Sequence, residues 1–404
     1  MTKGVTNGVS VYIHIPYCVS KCHYCDFNSY GLGKHPAPEA EYVAALKREF
    51  DGVGRILAER EWTAPTVYFG GGTPSLLAPE AIDAILRAVA GRFFFSPLTE
   101  ITLEMNPKTA SLEKMRALRA IGVNRLSVGV QSLDEEILSR LGRAHSSRDA
   151  LQTLEWAFAA GWEQVNADLM YGLPQQSLAH VASTLDQLAD FPLRHLSAYE
   201  LIVEEGTPFY DRYLEGRLPL PEVPEVLAMR DAVSGFAHDK GMEFYEISNY
   251  AAPGFESVHN GHYWNYDSFL GIGAGAVSFL RWEELAPVLR EKFPSKHAEP
   301  PYGLRWTNPK LPSEYSRSCE PSATAFELIT RREAMGEFMM MGLRRHRGVR
   351  FADFRKKFGE DPPSEFLAAV ERARSRGLLQ EDPEGCRLTE TGMLLSNEVL
   401  QAFL

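Results

Sequence analysis

YIHIPYCVSKCHYCDFNSY, running from Tyr12 to Tyr30, joins a short β-branched run to three cysteines spaced C-x3-C-x2-C. The run over residues 9–15 reads as a strand, which places Cys18, Cys22 and Cys25 in the loop just after it. The chain has five cysteines, an odd number, and these three crowd into eight residues. Disulfides do not account for that in a reducing compartment, so the thiols read as ligands. A cubane [4Fe–4S] cluster has four irons, and three cysteines leave one without a protein ligand. The amino and carboxylate groups of S-adenosylmethionine (SAM) can chelate that open iron. Zinc with His14, His23 or Asp26 as fourth ligand is the alternative, although no second ligand pair appears.

Outward from this loop, five more strands are expected, over residues 66–69, 100–103, 125–130, 164–170 and 195–201. Amphipathic segments over 39–60, 79–89 and 111–121 lie between them as helices. That alternation predicts an α/β fold with a parallel sheet, a partial (β/α)6 barrel. Each strand runs into polar or glycine-rich residues. Phe69 leads to GGGTPS, Leu103 to EMNP, Val130 to Gln131-Ser132, and Val165 to Asp168 and YGLP. In parallel α/β folds the site lies at the carboxyl ends of the strands, so these residues converge on one mouth.

Composition narrows the class further. With 45% hydrophobic and 24% charged residues in 404, the chain can bury one large core plus a smaller module, or two comparable domains, and is not mainly disordered. A net charge of −11 argues against a large nucleic-acid footprint. MTKGVTNGVS holds no apolar signal core and no apolar run spans a bilayer, so a cytoplasmic protein without a membrane span is expected.

Three regions are expected: the barrel over 1–250, a connecting segment over 251–322, and a C-terminal winged-helix-like module over 323–404. Residues 287–321 hold seven prolines and read as loop, with 283–301 as an insertion. Helices over 323–343 and 363–377, the EDPEGCRLTETG segment and a last helix over 393–403 make up the module. Cys319 and Cys386 stand alone and read as packed or free thiols.

The Tyr12–Tyr30 stretch resembles the signature of radical-SAM proteins of the heme group. That group includes oxygen-independent coproporphyrinogen III oxidase and the heme chaperone family HemW, and the resemblance covers nearly the whole chain. It implies that Gly71, Gly72 and Thr73 meet the amino end of SAM, with Glu104, Gln131, Arg143 and Asp168 as further contacts. Their chemistry agrees, because Glu104 can pair with an ammonium, Arg143 with a carboxylate, and Asp168 can accept ribose hydroxyls. Tyr12 and Tyr24 are expected to border cluster and ligand.

Within the group, the oxidase signature continues C-x3-C-x2-C-x-C, whereas Phe27 stands at its last position here. The oxidase also carries a longer N-terminal extension than the 17 residues before Cys18. The chaperone branch is the one this resembles, and His259-Asn260-Gly261-His262-Tyr263-Trp264 matches its H-N-x-x-Y-W motif, associated with heme. The resemblance implies His259 as heme ligand with His262 in reserve, and a heme-acceptor protein and a reductant for the cluster as partners. Carrier work follows, with radical decarboxylation of coproporphyrinogen III as the alternative. Val277 departs from the histidine common after GIGAGA in the family. Met339-Met340-Met341 reads as core packing, and the basic stretch of Arg344, Arg345, Arg347, Arg350, Lys356 and Lys357 as a solvated face.

Overall fold

The computed structural model describes residues 8–33, 35, 37–293, 300–317 and 325–404. Six strands form the parallel array: β1 (Ser10–Ile15), β2 (Thr66–Gly71), β3 (Glu100–Met105), β4 (Arg125–Gln131), β5 (Gln164–Tyr171) and β6 (His195–Glu200). They pair in sequence order, each parallel to the next. Val11 and Ile13 pack outward under the helices Glu39–Gly52 and Pro79–Ala90, whose Leu46, Phe50, Ile82, Ile85 and Val89 fill the same core. The alternate residues, Tyr12 and His14, face inward, as the two-residue period of a strand requires. The helix over 39–60 is shorter than expected. It stops at Gly52, and a tight turn over Val53–Arg55 follows, because glycines at 52 and 54 weaken helix propagation.

The sheet continues beyond six strands at both edges. β7 (Glu243–Glu246) and β8 (Asn249–Ala251) add an antiparallel pair beside β6. β9 (Phe269–Ile272) lies parallel to β1 on its other side. β10 (Val277–Arg281), β11 (Gly303–Thr307) and β12 (Ala325–Ile329) extend antiparallel from it, making twelve strands among the described residues. The region expected to connect two domains is therefore part of the barrel sheet. The loop expected over 287–321 contains β11, because Leu304 and Trp306 point into the core on one face. Prolines on either side hide that alternation in the sequence. Likewise the helix expected over 323–343 is β12 followed by helix Arg331–Gly342, which starts at a capping box between Thr330 and Glu333.

The C-terminal module thus begins after Ile329. Helices Arg331–Gly342, Phe351–Phe358 and Ser364–Ser375 pack with a small sheet of β13 (Val349–Arg350), β14 (Leu379–Asp382) and β15 (Gly385–Leu388). Phe338, Phe354, Phe366, Val370 and Phe403 form its core, which Tyr266 and Phe279 of the barrel side join. The expected final helix is broken at Leu395 into two short ones, Glu390–Leu394 and Ser396–Leu400. Met339 is fully buried and Cys386 is a buried free thiol; Cys319 lies outside the described residues. The basic stretch is only partly solvated. Arg345 is buried and donates to Asn265, while Lys357 holds the Tyr266 carbonyl and Asp267. Among the described residues no helix is long and apolar enough to cross a membrane.

Candidate functional site

The cysteine loop leaves β1 at Ile15 and is tied down on both sides. Tyr17–Cys18 bridges to Tyr30–Gly31, and the His23 amide donates to the Leu141 carbonyl. Each cysteine sulfur has a different polar neighbour. Thr73 Oγ1 lies 3.5 Å from Cys18 Sγ, Arg143 Nη1 3.7 Å from Cys22 Sγ, and Ser29 Oγ 3.8 Å from Cys25 Sγ. Burial pushes the Cys18 and Cys25 thiols above their ordinary value, so metal binding there displaces protons. The alternative fourth ligands are otherwise engaged or turned away. His14 bonds the Tyr12 hydroxyl and the Asn28 carbonyl, His23 bonds the Arg140 carbonyl, and Asp26 is exposed. Among the described residues no three His, Cys, Asp or Glu side chains are placed to share one metal ion. A cubane asks for no such convergence, since each thiolate holds its own iron.

Beside this loop opens a cavity of about 390 Å³, walled by Tyr12, His14, Gly71, Glu104, Tyr263 and Val277 among others. Gly71 has φ +110, and a Cβ there would stand 2.4 Å from the His14 ring. Glycine is therefore required where β2 ends. A Cβ on Gly72 would meet the Tyr17 carbonyl oxygen at 2.7 Å, so the turn leaves only backbone against the cysteine loop. Thr73 is buried with its hydroxyl on Cys18.

Glu104 stands on the inward face of β3 and accepts from the Tyr68 hydroxyl at 2.9 Å and the Gly71 amide at 3.2 Å. Burial, then the neighbouring Asp168 carboxylate, push its pKa up to about 7. Asp168 accepts from Ser127 and Asn166 and is likewise raised, chiefly by burial. Glu104 has no ion-pair partner among the described residues, so the cavity presents negative charge without a cation of its own. Arg143 donates to the Gly129 carbonyl at 2.8 Å, yet its Nε is buried with no partner. Gln131 is its neighbour across Gly129, at the end of β4, where the pairing with β5 is irregular and φ turns to +64. Tyr24 is half-buried beside Arg143, and burial of its hydroxyl raises its pKa. An unpaired carboxylate, an orphaned guanidinium nitrogen and a glycine cradle fit the ammonium, carboxylate and sulfonium of SAM.

His259 lies in the barrel interior. It is 1% exposed, with Nδ1 2.7 Å from Thr66 Oγ1 and Nε2 3.0 Å from the Tyr263 hydroxyl. Its ring stacks on Tyr68 at 4.9 Å between centroids. Glu100 accepts the Val258 and His259 amides and fixes the short helix Val258–Trp264 in this rotation. Both imidazole nitrogens are thus engaged by hydroxyl groups inside the barrel. His262 bonds Asp267 through Nδ1, and its Nε2 is buried and unpartnered. Thr66, Tyr68 and Glu100 were missed as site residues; their polar side chains on inward faces of strands were the available signal.

Residues 12–188 match the Radical SAM superfamily and residues 329–395 the HemN C-terminal domain. The heme chaperone HemW of Bacillus subtilis is 35% identical over 98% of this chain and 99% of its own. The chain belongs to the HemW family. The Escherichia coli HemW is 33% identical over 98% of each chain. Among solved structures, Escherichia coli coproporphyrinogen III oxidase (HemN), a radical-SAM enzyme, superposes with TM-score 0.79 at 21% identity. That match covers 100% of this chain and 91% of HemN, and it shows that this chain shares that fold.

Proposed function

We propose that this protein binds heme and passes it to an acceptor protein, with a [4Fe–4S] cluster on Cys18, Cys22 and Cys25. The observation that carries the reading is the 35% identity, end to end, with a protein named as a heme chaperone. Phe27 in place of a fourth cysteine supports it. Held by Cys18, Cys22 and Cys25, the cluster would supply one-electron reducing power, drawn from an external reductant, beside the SAM site. The chain's own residues hold that ligand: Gly71, Gly72, Thr73 and Glu104 at its ammonium, Arg143 and Gln131 at its carboxylate, Asp168 at its ribose. Tyr12 walls the cavity, and Tyr24 stands by Arg143 and the cysteine loop. A reducing, cytoplasmic setting goes with this reading, since thiols that must bind iron cannot be spent as disulfides.

The test is a heme titration of anaerobically reconstituted protein run beside an assay for coproporphyrinogen III decarboxylation. Stoichiometric heme uptake without loss of carboxyl groups is expected. Catalytic formation of protoporphyrinogen would overturn the carrier reading in favour of the oxidase.

A further inference from the structure

One layer beneath the carboxyl ends of the strands, the barrel interior carries a row of buried polar side chains. Strand register sets Ser127 of β4 beside Asn166 of β5, and Asn166 beside His195 of β6. Asp168 stands two residues beyond Asn166, on the same face and one step nearer the mouth, where it is only half-buried. Asn166 Nδ2 lies 2.8 Å from Asp168 Oδ1, 2.7 Å from Ser127 Oγ and 2.9 Å from Ser197 Oγ. Its Oδ1 lies 2.7 Å from His195 Nδ1. His195 Nε2 in turn lies 2.8 Å from the hydroxyl of Tyr245 on β7, which accepts the Ser257 amide.

These contacts fix where each proton sits. A carboxylate only accepts, so the NH2 of Asn166 faces Asp168 and its carbonyl oxygen faces His195. Nδ1 therefore carries the imidazole hydrogen, and bare Nε2 accepts the Tyr245 O–H. Burial, then the nearby Arg125 guanidinium, keep the ring neutral. From Tyr245 through His195 and Asn166, each donor points toward Asp168.

We infer, on the SAM-binding reading above, that His195 is a positioning residue: by holding the Asn166 amide it aims the Asp168 carboxylate at the ribose of SAM. His195 is 2% exposed, so it acts through Asn166 and not on the ligand. Without its N–H, the Asn166 carbonyl oxygen is buried with no donor, which favours rotation of the amide. A turned amide sets its oxygen against Asp168, and the carboxylate then takes up a proton or swings aside. Either change removes an acceptor for ribose hydroxyls. The effect falls first on the ribose, because the residues at the other end of the ligand have partners of their own, Tyr68 and Gly71 for Glu104 and the Gly129 carbonyl for Arg143.

The experiment compares S-adenosylhomocysteine with its 2′,3′-dideoxy analogue on the anaerobic, cluster-loaded full chain. Wild type should bind the ribose form about tenfold or more tightly, by the worth of hydrogen bonds to a carboxylate. His195→Leu should lose roughly fivefold or more of that preference, with affinity for the dideoxy form within about twofold of wild type. His195→Asn, which sets an amide N–H near the place of Nδ1–H, should restore the preference, as relief of a packing defect alone would not. A full preference in His195→Leu overturns the positioning role. Nitrogen-15 NMR of histidine-labelled wild type, with the signal assigned by its loss in His195→Asn, should show the neutral Nδ1–H tautomer. An Nε2–H tautomer or an imidazolium overturns the inference even where the leucine variant fails to fold. If wild type itself does not prefer the ribose form, the placing of Asp168 at the ribose fails, and this inference with it.

Discussion

Replacing Glu104 with Gln is expected to make the empty protein more stable and the ligand weaker, two effects of opposite sign from one atom. The carboxyl titrates at about 7 in the folded chain, against 4.5 for an unperturbed group, because it is buried and faces Asp168. A folded pKa above the unfolded one means that stability is greatest below pH 4.5 and falls as pH rises through 7. At about 1.36 kcal/mol per unit the ionised group costs the fold up to about 3 kcal/mol at pH 8. Water in the cavity screens part of this, leaving roughly 2 kcal/mol. Glutamine keeps an oxygen for the Tyr68 hydroxyl but turns its amide toward the Gly71 N–H, which forfeits about 1 kcal/mol. Cluster-free Glu104→Gln should therefore gain about 1 kcal/mol at pH 8 and lose roughly 0.5–1 kcal/mol at pH 5, where the ionisation cost has gone and the forfeited hydrogen bond remains. Urea unfolding at the two pH values measures this. Cluster-loaded protein should meanwhile lose roughly 10- to 150-fold in SAM affinity at pH 8, by the worth of a charged hydrogen bond. Wild-type affinity should itself decline below pH 7. A variant that is less stable than wild type at pH 8, or that binds SAM as well, refutes the picture of a carboxylate waiting for a cation.

Three further outcomes follow from the same geometry. Cys22→Ser should abolish the cluster's visible absorbance and reduce bound iron to background after reconstitution, with far-UV circular dichroism unchanged. Gly71→Ala would press a methyl group into the His14 ring at a φ that L residues avoid; it should weaken SAM binding more than tenfold and cost about 1–3 kcal/mol of stability. Glu49→Ala would leave the Gly273 amide, the Asn308 amide and the Tyr315 hydroxyl without their acceptor. A loss of about 3 kcal/mol is expected from urea unfolding, and an effect below 0.5 kcal/mol would show that water replaces the carboxylate.

The six parallel strands were legible because each is a short β-branched run that ends in polar or glycine residues. The cysteines were legible because their spacing is chemistry that packing does not require. Strand β11 was not, since prolines on both sides masked the alternation of Leu304 and Trp306. The orientation of His259 was beyond sequence for another reason. A helix of seven residues has too little periodicity to say which side faces in, and here Glu100, 159 residues away in the chain, decides it. Tyr68 and Thr66 read as sheet filling. A tyrosine between valine and phenylalanine carries no sign that its hydroxyl ends on Glu104.

The pairing of β1 with β9 has a bearing on how the molecule is made. Ser10 lies against Phe269 and Ile13 against Ile272, so the first strand waits for more than 250 residues of chain before one of its edges is covered. Contacts this distant in sequence close late. During synthesis the strand that carries the cysteine loop therefore has an open edge, and the wall bearing Tyr263 and Val277 does not yet exist. Iron delivered to a nascent chain would meet thiols on a half-built scaffold, exposed to oxidation and to strand pairing with neighbours. Loading the metal only after release from the ribosome avoids both hazards, and a fragment ending at residue 188 should accept a cluster poorly however well its own strands pair.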